Sequence, residues 1–212
     1  MKDYTYYLFD ADGTLFDTTE MICRCFDYSL DKFGSIRKPK EEIIKSIGMT
    51  LRKQFEHHLG PLSDEKYDEM QKEHMRYQLT IYKQFLGTIP GVREGLSTLK
   101  QNNKRLAVVT SRKINSLTLF LKETGIYDFF EIMITPDETD KHKPEPEPAL
   151  KAMSVLGAKK EKTLFIGDSL FDIQCGAAAG IDTAFVTYSK NDGNRFDPQP
   201  TWWIDSLEAL CV

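Results

Sequence analysis

Nowhere in the 212 residues does an apolar run approach the ~20 consecutive residues that a membrane-spanning helix requires. The opening MKDYTYYLFDADG lacks an apolar h-region and a small-residue cleavage site, so no secretory signal is expected. Its early acids also argue against a transit peptide. Cysteine is scarce: Cys23, Cys25, Cys175 and Cys211, with no C-x-x-C pair among them. Cys23 and Cys25 lie two apart in a helical pattern and point in different directions, so a metal site built from them is disfavoured. Free thiols in a reducing cytoplasm are expected.

An excess of basic charge is missing too. Lys+Arg number 28 against 32 Asp+Glu, a formal net charge of -4, which argues against general nucleic-acid or membrane-surface binding. Internal repeats and low-complexity tracts are absent, and the Pro- and charge-rich KHKPEPEP is too short to be a linker domain. With 41% hydrophobic and 11% aromatic residues, the chain has the composition of a packed globular protein and not of a disordered one.

What is present is a change of character along the chain. Residues 4–9 form a short aromatic-rich run followed by Asp-Ala-Asp-Gly, the pattern of a buried strand and turn. Asp17 with Glu20 suggests a helix start, and Ile22, Phe26 and Leu30 then share one face of a helix over about 18–33. Further helical patterns follow Pro39, resume after Gly48 with Leu51 and Phe55, and fill about 63–86, so about 16–87 holds helices and no convincing strand. After Pro90-Gly91, apolar runs at 106–110, 132–134, 163–166 and 183–186 alternate with helical patterns at 92–99, 111–125, 148–156 and 172–179. Strands that read apolar throughout and alternate with helices imply a doubly wound α/β fold with a parallel sheet covered on both faces. The expected division is an α/β core from 1–15 and 88–212 with an all-helical insertion at 16–87.

In such sheets ligands bind beyond the carboxyl ends of the strands. Four strand ends carry polar groups: Asp10 and Asp12 with Gly13, Thr110-Ser111, Lys143, and Asp168 with Asp172 four residues on. Crowded carboxylates need a cation, and oxygen ligands without nearby His or Cys favour Mg²⁺ over zinc. A lysine adds a point charge for phosphoryl oxygens or for the nucleophile. Structural readings stand beside these. Thr110 or Ser111 could cap the following helix, and Asp172 could be an acid favoured by the macrodipole in a first helical turn. Lys141 is the solvated decoy for Lys143, and His57-His58 reads as surface.

DADGTL, VVTS, KPEP and GDSLFD, in that order, resemble the four motifs of the haloacid dehalogenase superfamily, and the helical insertion resembles its C1-type cap. Within that superfamily the chain is most similar to the phosphoglycolate phosphatase and pyrophosphatase branch, over essentially its whole length. The resemblance implies a Mg²⁺-dependent phosphatase that hydrolyses a small phosphate monoester or pyrophosphate through an aspartyl-phosphate. Asp10 would be the nucleophile, and Asp12 the general acid and then the base. Thr110 and Ser111 would hold the phosphoryl group, and Lys143 would hold Asp10 and the phosphoryl oxygens. Mg²⁺ would be bound by Asp10, the Asp12 backbone carbonyl and Asp168, supported by Asp172 directly or through water. A cap loop, here Ile47-Gly48-Met49-Thr50, would lie over the site, with Gly48 close to substrate. Arg24, Lys45, Arg52 and Lys53 are candidates for reading an anionic leaving group.

A sugar phosphomutase of the same superfamily is the alternative, and a non-catalytic binding protein a more remote one. Ile22, Ile47 and Leu51 stand where the mutase branch has a histidine, a lysine and an arginine, and Asp12 departs from the dehalogenase branch. The expected partner is a small phosphorylated metabolite, not nucleic acid or membrane, with a cytoplasmic monomer or homodimer.

Overall fold

The computed structural model describes residues 1–211. Its elements follow the chain as β1 (Tyr6–Phe9), β2 (Phe16–Asp17), α1 (Thr19–Gly34), α2 (Lys40–Ser46), α3 (Leu51–Leu59), α4 (Asp64–Phe85) and β3 (Gly87–Thr88). Then come α5 (Val92–Gln101), β4 (Arg105–Val109), α6 (Ile114–Glu123), β5 (Ile132–Ile134), α7 (Glu147–Leu156), β6 (Thr163–Gly167), α8 (Leu170–Ala179), β7 (Asp182–Val186) and β8 (Trp202–Ile204).

Six strands form one parallel sheet in the order β5-β4-β1-β6-β7-β8. β1 is central: Leu8 is level with Ala107 on one side and Phe165 on the other. Because strand side chains alternate in direction, the apolar runs feed two separate layers. Tyr7, Phe9, Leu106, Val108, Leu164 and Ile166 pack into one core with Leu96 and Leu99 of α5 and Leu117, Phe120 and Leu121 of α6. Leu8, Ala107, Val109 and Phe165 pack into the other with Ala149, Ala152 and Met153 of α7 and Cys175 and Ala179 of α8. This is the doubly wound sheet expected from the sequence.

Helices α1–α4 leave the chain after β2 and return at β3, and they carry their own core of Ile22, Phe26, Leu30, Ile43, Phe55 and Met70. The segment expected to hold no strand is bounded by a minimal one. β2 and β3 pair antiparallel, Phe16 with Thr88 and Asp17 with Gly87, so exit and re-entry lie side by side. Two residues per strand leave no periodicity to read in a sequence. α1 is flanked at its N-terminus by Thr18, which makes no side-chain cap; its hydroxyl donates instead to Asp12 Oδ1 at 2.6 Å. No helix among the described residues is long and apolar enough to cross a membrane.

Candidate active site

Asp10 follows β1 directly and is buried. Lys143, in the loop between β5 and α7, donates from Nζ to Asp10 Oδ1 and to Asp172 Oδ1, both at 2.6 Å, and its side chain is 1% exposed. Lys141 is solvated, as expected of the decoy. Asp168 lies just past β6, and Asp10, Asp168 and Asp172 each bring a carboxylate oxygen within 4.8 Å of the others. Asp172 is at once a first-turn acid and a site residue. Its Oδ2 accepts from the Ser169 backbone N–H at 3.0 Å and hydroxyl at 2.6 Å, completing a capping box on α8, while Oδ1 takes Lys143. Asn191, unmarked in the sequence, donates from Nδ2 to the Asp168 carbonyl at 2.9 Å and to Oδ2 at 3.3 Å.

The turn after β1 explains Gly13. Its φ is +82°, and a Cβ there would stand 2.4 Å from Asp168 Oδ2, so any side chain would displace that carboxylate.

Burial pushes the Asp10 carboxyl up to about 7, with Lys143 opposing and the charges of Asp172 and Asp12 reinforcing the rise. Burial, then the charges of Asp172 and Asp10, raise Asp168 well above the carboxylate range. Burial alone would lower Lys143, but Asp10 and Asp172 outweigh it and hold the ammonium above the ordinary lysine value. Formally, the four carboxylates of Asp10, Asp12, Asp168 and Asp172 face two cations, Lys143 and Arg112, leaving an excess of two negative charges. A buried imbalance of that size is what a divalent cation relieves, and all-oxygen donors suit a hard one.

Beside this cluster lies a half-open chamber of about 60 Å³ between the sheet and the helical insertion, lined by Asp10, Asp12, Thr110, Ser111, Arg112 and Gly48 among others. Neither Thr110 nor Ser111 caps α6, whose N-terminal flank is Lys113 without a side-chain cap. Thr110 Oγ1 accepts from the Arg112 backbone N–H at 3.2 Å, keeping its own hydrogen to donate. Ser111 Oγ donates to the Gly48 carbonyl at 2.6 Å, so the loop between α2 and α3 is tied to the end of β4. Gly48 lines the chamber, and the direction its missing side chain would take is toward α8. A Cβ would meet Phe171 Cδ2 at 2.7 Å and Ser169 Oγ at 3.0 Å, on α8 and its cap.

The Asp12 carboxylate lies outside the triad of Asp10, Asp168 and Asp172 and has partners of its own. Arg112 donates to it from Nη2 at 2.6 Å and Nε at 2.9 Å, beside the Thr18 bond. Arg112 and Thr18 were not singled out in the sequence; their positions, one residue past Ser111 and six past Asp12, are the only signals. Arg24 pairs with Glu20, and Arg52 pairs with Glu56 and Asp64. Arg52 and Lys53 line a wider groove of about 560 Å³ outside the chamber. Lys45 is exposed. The surface reading of the histidine pair holds for His57 only: His58 is buried, with Nε2 3.4 Å from Ser46 Oγ. The four cysteines are free, three of them buried.

A family model described as haloacid dehalogenase-like hydrolase matches residues 7–186. Pyrophosphatase PpaX of Halalkalibacterium halodurans is 33% identical over 194 residues, covering 90% of this chain and 88% of that protein. Pyrophosphatase PpaX of Oceanobacillus iheyensis is 34% identical over 204 residues, covering 96% and 93%. A solved structure from Bacteroides fragilis, described as a haloacid dehalogenase-like hydrolase, superposes with a TM-score of 0.89 at 30% identity, over 98% of this chain and 100% of that one.

Proposed function

The chain belongs to the haloacid dehalogenase-like hydrolase family, and from that premise we propose that it is a Mg²⁺-dependent phosphohydrolase acting on pyrophosphate or a small phosphate monoester. The observation that carries this reading is the buried Asp10-Lys143-Asp172 chain beside Asp168, opening onto a chamber that also holds Asp12.

Lys143 fixes Oδ1 of Asp10, which leaves Oδ2 to attack phosphorus. As that bond forms, the bond from phosphorus to the leaving oxygen breaks, and Asp12 donates a proton to that oxygen. Water then attacks the aspartyl-phosphate, Asp12 takes the water's proton, and Asp10 is released with free phosphate. The Thr110 hydroxyl and the Lys143 ammonium hold the transferring oxygens. Asp10, Asp168 and the Asp12 carbonyl would hold Mg²⁺, which offsets the developing charge. With both oxygens already accepting hydrogen bonds, Asp172 acts chiefly by orienting Lys143. In this reading residues 1–15 and 88–212 are the catalytic core and 16–87 the cap that excludes water.

Size supports the substrate class. At about 10–15 Å³ per water-sized group, a half-open chamber of about 60 Å³ favours a leaving group of a few heavy atoms. Ile22, Ile47 and Leu51 all lie in or against that apolar wall, which adds to the case against a mutase.

The test is release of free phosphate from a panel of phosphorylated metabolites and pyrophosphate, with wild type and Asp10→Asn, in Mg²⁺ and in excess chelator. Activity should need Mg²⁺, and the variant should lose at least about a thousandfold in turnover while melting near wild type. Variant turnover within about tenfold of wild type, or full activity in chelator, overturns the reading.

A further inference from the structure

Arg112 is 9% exposed and sits at the junction of sheet and helical insertion. One edge of its guanidinium grips Asp12, as described above. Nη1 reaches Gln78 Oε1 of α4 at 3.3 Å and Ser116 Oγ of α6 at 3.4 Å, and the guanidinium carbon lies 4.6 Å from the centre of the Phe120 ring. The group is therefore held flat, with a carboxylate on one edge and an aromatic face beneath it.

Its neighbours in the chamber bring no comparable charge. Ile22, Phe26, Ile47, Met49, Leu51 and Met75 make an apolar wall. His74 is neutral, since burial pushes it down to about 3. Lys113 spends its ammonium outside, on Asp137 at 2.7 Å. Lys143 gives two of its three donors to Asp10 and Asp172, and the third faces the transferring group, not the leaving one. The Arg112 donors are not exhausted: among the described residues Nη2 donates only to Asp12, and both Nη1 contacts are long.

We propose that Arg112 is the residue that selects the leaving group: it reads negative charge there, so that phosphoryl groups leaving from phosphate or a short carboxylate are preferred over those leaving from a neutral alcohol. The proposal rests on the phosphohydrolase reading and narrows its substrate class. In a small chamber with apolar walls, a desolvated anion finds one fixed guanidinium beside the very carboxylate that protonates its leaving oxygen. A neutral leaving group of equal size leaves those donors unmet, the situation in which a polar site discriminates most strongly.

The experiment compares kcat/KM for 2-phosphoglycolate and ethyl phosphate, which differ in one carboxylate, with pyrophosphate as a second anionic case. Wild type should favour the anionic substrates over ethyl phosphate by about a hundredfold or more. In Arg112→Gln that preference should fall below about tenfold, mostly through KM for the anionic substrates. Arg112→Lys, a point charge without the fork, should keep part of it. If Arg112→Gln does not fold, as a melting curve would show, the ratio in Arg112→Lys decides: a clear drop supports the assignment and an unchanged ratio overturns it. Equal losses on charged and neutral substrates overturn it as well, leaving Arg112 as a positioning partner of Asp12. Absence of phosphate release from all substrates by wild type would be a different failure, that of the phosphohydrolase reading itself.

Discussion

His74 sits on α4 with its imidazole edge-on to Phe26 at 5.0 Å and to Phe55 at 5.3 Å, and Nδ1 3.0 Å from Ser29 Oγ. Burial first, and the Arg112 charge second, push it to about 3, far below histidine's usual ~6.5. The folded protein thus refuses a proton that the unfolded chain accepts. The stability this residue contributes is complete above about pH 6.5 and is lost as pH falls toward 3, with a slope approaching ~1.4 kcal/mol per pH unit. Urea unfolding at pH 7, 6 and 5 should show a decline that His74→Gln flattens, because the amide can still meet Ser29 but cannot titrate. An identical decline in the variant would remove His74 from the account. The same residue shows why a histidine so placed is not a proton shuttle: it is neutral where the enzyme would work.

At the scale of elements, the loop between α2 and α3 decides how the insertion meets the sheet. It is fastened by the Ser111–Gly48 hydrogen bond and by the absence of a side chain opposite Phe171. Gly48 also has φ +107°, where a β-branched residue is strained. Gly48→Val should therefore keep the loop off α8, lowering kcat for pyrophosphate by about tenfold or more while an aryl phosphate, which needs less closure, suffers less. Ser111→Ala should do the same more gently, about two- to tenfold, as expected for one hydrogen bond. Steady-state kinetics on both substrates beside a melting curve separates closure from folding; equal losses that track a lowered melting temperature would refute the loop's role. The central strands were legible because burial on both faces makes them apolar throughout, as in Leu106–Val109. β8 was not, since Trp202-Trp203-Ile204 is a three-residue edge strand with Trp203 exposed, set off by Pro198 and Pro200. Asp10, Asp12, Lys143 and Asp168 were legible because each follows a strand in a recognisable order. Arg112 and Asn191 were not: their work is done by reach across the crevice, to Asp12 and Asp168, and sequence spacing carries no trace of such reach.

For the molecule as a whole, the crowding of three buried carboxylates around one lysine at the carboxyl ends of the strands is a standing cost of folding. A cation that binds only the folded form lowers that cost by mass action. Mg²⁺ at about 10–100 times its dissociation constant should stabilise by ~1.4–2.7 kcal/mol, a rise of roughly 3–10 °C in Tm for a chain of this size. Calorimetry with and without Mg²⁺ should show it in wild type and lose most of it in Asp168→Asn; an equal rise in that variant would place the ion elsewhere. The β2–β3 ribbon has a consequence of another kind. Because the chain departs and returns at adjacent residues, Asp17 beside Gly87, the stretch between them closes a loop whose ends already touch. Lengthening, shortening or exchanging such a loop costs little entropy. For the gene, then, the stretch that lies over the acids and the stretch that carries them are separate paragraphs of one text, and the first can be lengthened or exchanged while the second is left as it stands.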